Sequence, residues 1–376
     1  MKKTLFLTSL VASMVAMAGI TGSVEGYNEN EATFSKYDGT SFVAKKLGVK
    51  TKVKVNGTGF SFGGDFKAKD LELGKVKKAD YLNHSSVWAK YELPEIKGIK
   101  SYVKATVEPK FVGKVNNIDD SYKFGVTGEL EGQASYKYAA VKDLELEGKV
   151  AFKKYFKSSK NTGDYEALGI ILFGGSRPRY MHSYELKGAY KGVKHLTLSA
   201  KPFVAHVNII KKLTQDSKLY RVDVVLYGVE LGTEYKMLND KLTLTGKSVL
   251  AGIHDKRIDE ITNDPTQKLV KNNRGYFVFG ANAKYDYSVT DKFTVSPEAN
   301  ANLEISVYKP ASKLVTVPFL TLTPKVSAEY KPTDTLTLKG SVEVPVKFGV
   351  SGVVTYKFKY LQTQLKTSLN LKYEWK

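Results

Sequence analysis

The sequence predicts an all-β protein, a transmembrane antiparallel up-and-down β-barrel of about sixteen strands, with fourteen to eighteen as the range. Three observations predict it: an export signal at the amino terminus, long stretches in which apolar and polar residues alternate, and a turn phrase that recurs at regular spacing. The composition also favours extended structure, because the 376 residues include 24 Tyr and 31 Gly but only 11 Pro.

Residues 1–18 have the features of a secretory signal peptide. Lys2 and Lys3 precede an apolar run, and Ala16-Met17-Ala18 forms a small-x-small cleavage site. The run is too short, and too interrupted by Thr and Ser, for a transmembrane anchor. We therefore expect an exported chain that is cleaved near Ala18 and has no membrane-spanning helix in the rest of the sequence.

The rest of the chain alternates over unusually long stretches. From Tyr122 to Tyr138 the even positions are apolar or small and the odd positions are mostly polar, and similar alternation covers 293–307, 336–350 and 361–376. A period of two places the two sets on opposite faces of a strand. Soluble proteins usually have strands of five or six residues, whereas a tilted strand needs roughly 9–11 residues to cross a bilayer. The pattern favours a membrane barrel over a secreted β-sandwich or β-solenoid.

A turn phrase sets the number of strands. It consists of an aromatic residue followed by a short turn and then, in most copies, Asp-x-Leu-x-Leu or a close variant. The copies begin at Tyr138, Tyr190, Tyr235, Tyr287 and Tyr330, with weaker ones at Phe66 and Tyr91. Asp suits such turns because its side chain hydrogen-bonds to the local backbone. Seven turns imply fourteen flanking strands, and one more strand at each end gives sixteen, with both termini in the periplasm.

The amino-terminal region allows two alternatives. Residues 19–46 are either the first strand with its loop or an extension that precedes a first strand at 47–55, and the barrel is assigned to 47–376. The long polar segments 157–179 and 251–274 fit extracellular loops.

The apolar set of each strand carries almost no charge, as contact with lipid requires. The aromatic residues that close the strands are expected to form a girdle at the periplasmic interface of the membrane. The predicted girdle consists of Tyr91, Tyr138, Tyr190, Tyr235, Tyr287, Tyr330, Tyr373 and Trp375.

The opposite set is expected to face a water-filled lumen, because unpaired charges cannot lie in a dry interior and sixteen strands enclose an aqueous channel. The predicted pore-lining residues are Lys100, Lys104, Glu108, Lys123, Glu129, Glu131, Glu145, Glu147, Lys149, Glu298, Glu304, Lys325, Glu329, Lys339, Glu343, Lys347, Lys366 and Lys372. On the strands whose alternation is clearest, the polar face carries 14 Lys and 13 carboxylates, so the wall is nearly neutral. The excess of lysine that gives the chain its net charge of +20 is assigned to the loops and the amino-terminal third. This distribution of positive charge predicts a weak preference for anions.

The sequence gives no support for several other kinds of site and function. Cysteine is absent, which excludes disulfides, thiolate zinc sites and a cysteine nucleophile. The five His show no metal-ligand spacing and no catalytic constellation is identifiable, so we expect no enzyme, cofactor or metal. Only five of the 58 basic residues are Arg, which argues against a nucleic-acid partner.

The chain resembles bacterial outer-membrane porins of the general-diffusion type. Three features carry this resemblance: the signal peptide, the turn phrases and the final Leu369-Asn-Leu371-Lys-Tyr373-Glu-Trp375. The resemblance covers essentially 47–376. It implies an outer-membrane location in contact with lipid, passive diffusion of small hydrophilic solutes and ions, and insertion by the barrel-assembly machinery through the carboxyl-terminal strand. A homotrimer is among the assemblies it allows. One departure is Lys376, because porins of this type usually end on the aromatic residue.

The second departure concerns the loops. Porins of this type usually narrow the pore with a long third loop, but the third loop here, 113–121, is short. The long loop is the fourth, 157–179, in which Asp164, Glu166, Arg177 and Arg179 surround an apolar centre. This loop is either a constriction folded into the lumen or a surface loop. The alternative function is an adhesin or structural barrel that acts through its extracellular loops.

Overall fold

A computed structural model of the chain describes residues 20–35, 39–72, 85–112, 123–156, 166–167, 170–171, 176–212, 219–259, 271–308, 315–350 and 358–375. The predicted signal peptide lies outside the described residues. All regular structure in this part of the chain is β-strand, and it contains no helix that is long and apolar enough to cross a membrane.

The described residues form twenty strand segments. They are β1 (Ile20–Ser35), β2 (Gly39–Val55), β3 (Phe60–Glu72), β4 (Ser86–Glu92), β5 (Ile99–Val112), β6 (Lys123–Val141), β7 (Leu144–Phe156), β8 (Glu166–Ala167), β9 (Ile170–Ile171), β10 (Ser176–Val193), β11 (Leu196–Lys212), β12 (Leu219–Met237), β13 (Leu242–Asp259), β14 (Lys271–Tyr285), β15 (Tyr287–Thr290), β16 (Phe293–Tyr308), β17 (Val315–Thr333), β18 (Leu336–Glu343), β19 (Val346–Val350) and β20 (Phe358–Trp375).

These segments make sixteen barrel strands. β14 and β15 are one strand interrupted at Asp286, β18 and β19 are one strand interrupted at Val344 and Pro345, and β8 pairs only with β9. Each barrel strand pairs antiparallel with the strands before and after it, and β1 pairs with β20 over fourteen residue pairs, from Gly22 opposite Trp375 onward. The predicted closed, up-and-down, sixteen-strand barrel is confirmed.

The barrel begins at Ile20, earlier than the boundary assigned at position 47. β1 and the first residues of β2 lie within 19–46. The physical reason is closure: β1 lies between β2 and β20 and hydrogen-bonds to both, so without β1 the two ends of the sheet would not meet.

Seven short turns join described strands at one end of the barrel, which we call the turn end. Ile20 of β1 and Trp375 of β20 lie at this end, and the opposite end is the loop end. Six of the seven predicted turn phrases occupy these turns. Asp143 and Asp240, with φ of 62° and 65°, adopt the left-handed conformation that Asp and Asn tolerate well. The phrase at Phe66 is the exception, because Phe66 continues the alternation within β3 and the turn before that strand contains Gly57, with φ of 76°.

The two faces of the wall differ as the alternation predicts. On β6, the apolar Leu130, Tyr136 and Tyr138 point outward and are exposed, while Glu129 and Glu131 point inward and are partly covered by their neighbours. The inward face is identified by side chains from β13, β14 and β16–β20 that line one common bay, which only a concave surface allows. Large apolar side chains are therefore exposed around the outside of the barrel.

The seam between the first and last strands contains a close contact. Trp375 is 6% exposed because its indole covers Gly22, and a Cβ added at Gly22 would overlap both that indole and the backbone oxygen of Lys52. Gly26, four residues further along the same face of β1, has no heavy atom within 4 Å of an added Cβ. The seam thus requires glycine at only one of these two positions.

We expect Gly22→Val to destabilise the barrel by about 1–3 kcal/mol, because a rigid side chain overpacks a contact that includes backbone. Gly26→Val is the matched control and should leave the free energy of unfolding within about 0.5 kcal/mol of the wild type. Urea unfolding of the refolded protein measures both. Equal midpoints for the two variants would contradict the proposed role of the contact.

Candidate functional site: the inner wall of the barrel

The inner wall carries the predicted pore-lining side chains. Seventeen of the eighteen, all except Lys123, have described side chains that lie on the inward face of β5–β7 and β16–β20. Lys123 begins β6, and its side chain lies outside the described residues. Their placement follows from the antiparallel register, which keeps successive polar positions on one face. That they line a conducting pore stays a prediction.

Many of these charges pair between neighbouring strands. The inner-wall ion pairs join Lys153 to Glu131 at 3.3 Å, Lys201 to Glu230 at 3.5 Å, Lys247 to Glu230 at 3.0 Å, Lys325 to Glu298 at 3.5 Å, Lys339 to Glu329 at 2.5 Å and Lys366 to Glu343 at 3.5 Å. Pairing on this scale makes much of the wall locally neutral. It also leaves a polar surface that water can wet.

The turn end of the wall carries a further pair. The Lys191 ammonium lies 2.7 Å from the Glu145 carboxylate. Both side chains are exposed, so this pair contributes little to stability. It places one charge of each sign at the mouth of the barrel.

One strip of the wall is distinctly basic. Lys50, Lys52 and Lys54, which we call the basic stripe, lie on the inward face of β2, where Lys50 Nζ is 4.5 Å from the centre of the Tyr27 ring. Lys52 lies opposite Ser23 and Gly63, and Lys54 lies opposite Thr21 and Ser61, so no charged residue is directly opposite either lysine. The sequence analysis assigned these lysines to the surplus of the amino-terminal third, and β2 places them on the inner wall in its last six residues, toward the turn end.

Aromatic side chains accompany the inward lysines of the next strands. Lys90 Nζ lies 4.1 Å from the ring centre of Tyr102, and Lys104 Nζ lies 5.5 Å from that of Trp88. A cation above an aromatic face is attracted electrostatically, which holds the flexible lysine against the wall. The first five strands therefore combine lysines and aromatic rings on the inward face.

The opposite part of the wall is rich in amides. Asn282, Asn300, Asn302, Gln362 and Gln364 line a concave bay of about 690 Å³. Three of these amides donate to carboxylates: Asn282 to Glu298 at 2.5 Å, Asn302 to Glu304 at 2.8 Å and Gln364 to Glu31 at 3.1 Å. The bay offers donors and acceptors to hydrated solutes without a strong net charge.

An apolar area interrupts the polar wall near the loop end. This apolar pad consists of Met181, Phe203, Ala205, Val207, Val224, Leu226, Val249, Ala251 and Ile253, with Tyr155, Tyr276 and Val278 packed against it. Its members are at most 9% exposed, and Val224 and Leu226 are fully buried. Side chains on the wall of an open channel would be exposed, whereas these are buried.

The sequence analysis did not find the apolar pad. Segments 203–205 and 224–227 are apolar at both odd and even positions, so their alternation fades where both faces of the wall are apolar. The loss of alternation in these two segments is the sequence signal that could have predicted the apolar pad. It distinguishes a strand that is buried on both faces from one that separates lipid and water.

The predicted girdle lies on the outward face near the turn end. The seven tyrosines are 41–54% exposed, whereas Trp375 is buried against Gly22. Trp375 therefore belongs to the seam rather than to an exposed ring, because its partner strand carries a glycine at that level.

The predicted constriction loop is shorter than assigned. Arg177 and Arg179 lie in β10, where Arg177 pairs with Ile210, so the loop ends before Ser176. Glu166 lies in the small strand β8, and Asp164 lies outside the described residues. Two of the four proposed charges thus belong to the barrel strand that follows the loop, because pairing with β11 continues to the level of Ser176.

The described residues were also searched for a metal-binding site. The described residues contain no group of three or more His, Asp or Glu side chains able to hold a metal ion.

Comparisons with known proteins give only structural matches. No protein-family model matches the chain, and no curated protein matches its sequence. Three solved structures to which the fold is similar are the outer membrane channel DcaP of Acinetobacter baumannii, OccAB3 of the same organism and an anion-selective porin from Comamonas acidovorans. Their identities to this chain are 13%, 10% and 10%, and their TM-scores are 0.43, 0.45 and 0.40.

The matches cover 96%, 95% and 95% of this chain and 99%, 100% and 100% of the three structures, in that order. The structural neighbours are thus outer-membrane proteins that include porins. At these scores the similarity carries no argument about function, which rests on the residues of this chain.

We expect Glu230→Gln to lower the free energy of unfolding, because Glu230 pairs with both Lys201 and Lys247 and its loss leaves two close ammonium groups. The loss should shrink when the salt concentration is raised to ~1 M, where the Debye length is about 3 Å. Glu145→Gln is the control, since its pair with Lys191 is exposed. Urea midpoints at low and high salt measure the effect, and equal midpoints for both variants at low salt would contradict it.

Proposed function

We propose that the protein is an outer-membrane channel of the porin type, through which small hydrophilic solutes and ions diffuse passively. The observation that carries the proposal is the closed sixteen-strand wall with an apolar outer face and a charged inner face. An apolar exterior suits lipid, and a charged interior requires water. Such a wall encloses an aqueous channel rather than a packed core.

The export and assembly of the chain follow from the same proposal. The signal peptide directs it across the inner membrane and is cleaved near Ala18, and β20 presents the carboxyl-terminal strand to the barrel-assembly machinery. The turn end then faces the periplasm and the loop end faces the outside. A homotrimer is the assembly to test first, by chemical cross-linking in the membrane.

The described part of the structure favours a channel over the alternative functions. An adhesin or structural barrel needs no charged, hydrated inner wall, whereas this one carries ion pairs and amides along much of its height. The proposed function involves no reaction, cofactor or metal. The sequence offers no catalytic constellation that would favour an enzyme.

We propose a weak preference for anions. Ion pairs cancel much of the charge elsewhere on the wall, so the basic stripe on β2 contributes a local surplus inside the lumen. Rings or strips of like charge set the selectivity of a pore because they raise the local concentration of counter-ions. The preference stays small because the stripe occupies one of sixteen strands.

We also propose that the fourth loop constricts the channel, with the segment 157–175 lying over the apolar pad. The pad lies on the inward face of β10–β13, and β10 directly follows this loop. The apolar centre of the loop, Gly169-Ile170-Ile171-Leu172-Phe173, supplies the kind of side chains that would cover an apolar wall. The hydrophobic effect would hold the loop inside the barrel rather than at its mouth.

Planar-bilayer recordings on the refolded protein test the channel function. We expect stepwise conductance with a reversal potential in a salt gradient that indicates weak anion preference and fades at high salt. The double variant Lys52→Glu and Lys54→Glu should shift the preference to cations. Lys142→Glu with Lys194→Glu is the control, because it makes the same charge change in turns at the turn end and should shift the reversal potential much less. Absence of conductance would refute the channel.

Replacing residues 169–173 by a Gly-Ser segment of equal length tests the constriction. We expect the single-channel conductance to rise at least about twofold, because a flexible polar segment loses its attraction to the pad and leaves the lumen. The same replacement of residues 263–267, in another long loop, is the control. Unchanged conductance in the first variant would mean that the fourth loop lies at the surface.

A further inference from the structure

A flat aromatic side chain lies on the inner wall of the barrel, on β4. Trp88 has the inward parity, opposite to that of the exposed Val87 and Tyr91, and it pairs with Gly63 of β3. A Cβ added at Gly63 would lie 2.7 Å from Cζ2 and 2.9 Å from Cε2 of the Trp88 indole. The indole therefore leans over the bare backbone of β3. We call Trp88 and Gly63 the aromatic platform.

Lysines adjoin the platform on both sides. Lys52 of the basic stripe lies directly opposite Gly63, at the edge toward which the indole leans. On the other side, Nζ of Lys104 of β5 lies over the indole, 5.5 Å from the centre of the ring. A cation–π contact extends to about 6 Å, so this one is weak and an anionic group would compete well for the ammonium. The platform thus has a cation on either side.

The carboxylates around the platform leave a positive surplus on one side of it. Three of them contact other side chains: Asp65 accepts a hydrogen bond from Tyr27 at 2.6 Å, Glu92 pairs with Lys90 at 2.7 Å, and Glu131, which lies opposite Lys104, pairs with Lys153 at 3.3 Å. Glu129 and Glu131 are on β6, on the side of Trp88 away from Gly63. The basic stripe is on β2, on the side toward which the indole leans.

A second ring on the inner wall has the same construction but different neighbours. A Cβ added at Gly349 would lie 2.6 Å from Cδ1 of Phe319, and Lys347 Nζ lies 4.5 Å from the centre of the Phe319 ring. However, Phe319 lies directly opposite Glu304, a carboxylate that repels anions. The positive surplus distinguishes the aromatic platform from this second ring.

We propose that the aromatic platform, with Lys52 and Lys104, binds solutes that join a flat ring to an anionic group, as a nucleoside monophosphate does. The proposal names a solute class for the proposed channel and rests on that function. The solute ring stacks on the indole in place of the Lys104 ammonium, which turns to the anionic group. Both ammonium groups then donate charge-assisted hydrogen bonds to phosphate or carboxylate oxygens. Aromatic side chains and cations together bind single-stranded nucleic acids in the same way.

The position of the platform suits a solute in transit. Trp88 lies three residues from the girdle residue Tyr91, which is about 10 Å along the strand. The platform is therefore inside the barrel, near the mouth at the turn end. A channel needs sites that attract a solute but also release it, and an open wall that contacts only one side of the solute meets both requirements.

Equilibrium dialysis of the detergent-refolded protein at low salt tests the proposal with three probes. Adenosine monophosphate carries the ring and the anionic group, adenosine carries only the ring, and ribose phosphate carries only the anionic group. We expect adenosine monophosphate to bind at least about fivefold more tightly than either of the others, which is the lower limit of the gain from each contact. Equal affinity of ribose phosphate would overturn the proposal in favour of a free-anion site, and equal affinity of adenosine would overturn it in favour of an uncharged-ring site.

Variants of the two rings locate the site. Trp88→Leu should abolish the preference for adenosine monophosphate over ribose phosphate, and Trp88→Phe should restore most of it because Phe keeps a flat face. Phe319→Leu is the matched control and should leave the preference unchanged, since its ring adjoins Glu304. An equal loss in the two Leu variants would overturn the assignment to the platform.

A lysine variant keeps the proposal falsifiable if Trp88→Leu does not fold. Lys52→Gln should weaken the binding of adenosine monophosphate at least about threefold, because one charge-assisted hydrogen bond is lost, and should leave the affinity for adenosine unchanged. An unchanged affinity for adenosine monophosphate in this variant would overturn the proposal.

The channel and the solute site can fail separately, because dialysis measures binding without conduction. A protein that prefers adenosine monophosphate but does not conduct would refute only the channel function. A protein that conducts but binds the three probes equally would refute only the solute site.

Discussion

Closure of the sheet is the constraint on which the rest of this structure depends. Backbone N–H and C=O groups that face lipid find no water, so an open edge would leave them without partners. The pairing of β1 with β20 removes that edge, and the glycine at position 22 lets Trp375 pack against the seam. Closure by sixteen strands in turn fixes a diameter that side chains cannot fill, which is why the inner wall must be compatible with water.

A closed wall has two faces with opposite requirements, and strands satisfy both through a period of two. The sector formed by β10–β13 departs from this rule on both faces near the loop end. Its inner face carries the apolar pad, and its outer face carries His182, His206 and His254. Both departures are costly unless something covers them, because apolar side chains disfavour a wet lumen and polar ones disfavour lipid.

Electrostatic balance on the inner wall depends on register rather than on total charge. Glu230 lies opposite Lys201, and Lys247 lies opposite Gly232, two residues further along β12, so one carboxylate pairs with lysines of two neighbouring strands. No charged residue is directly opposite Lys52 or Lys54, whose neighbours on β3 are Gly63 and Ser61. The net charge of the chain does not reveal this difference. It arises only when strands are placed side by side.

The sequence by itself determined the fold class, the strand number and the faces of the clearest strands, because alternation and turn chemistry are local properties. Leu130 and Glu129 could be assigned to opposite faces from the printed letters alone. Only the tertiary structure decided which residues meet: β1 as the closing strand, Arg177 within β10, the basic stripe on the inner wall, the apolar pad, and His182, His206 and His254 side by side on the outer face. These are matters of register between strands that are far apart in the chain, and a period of two is the same in every register.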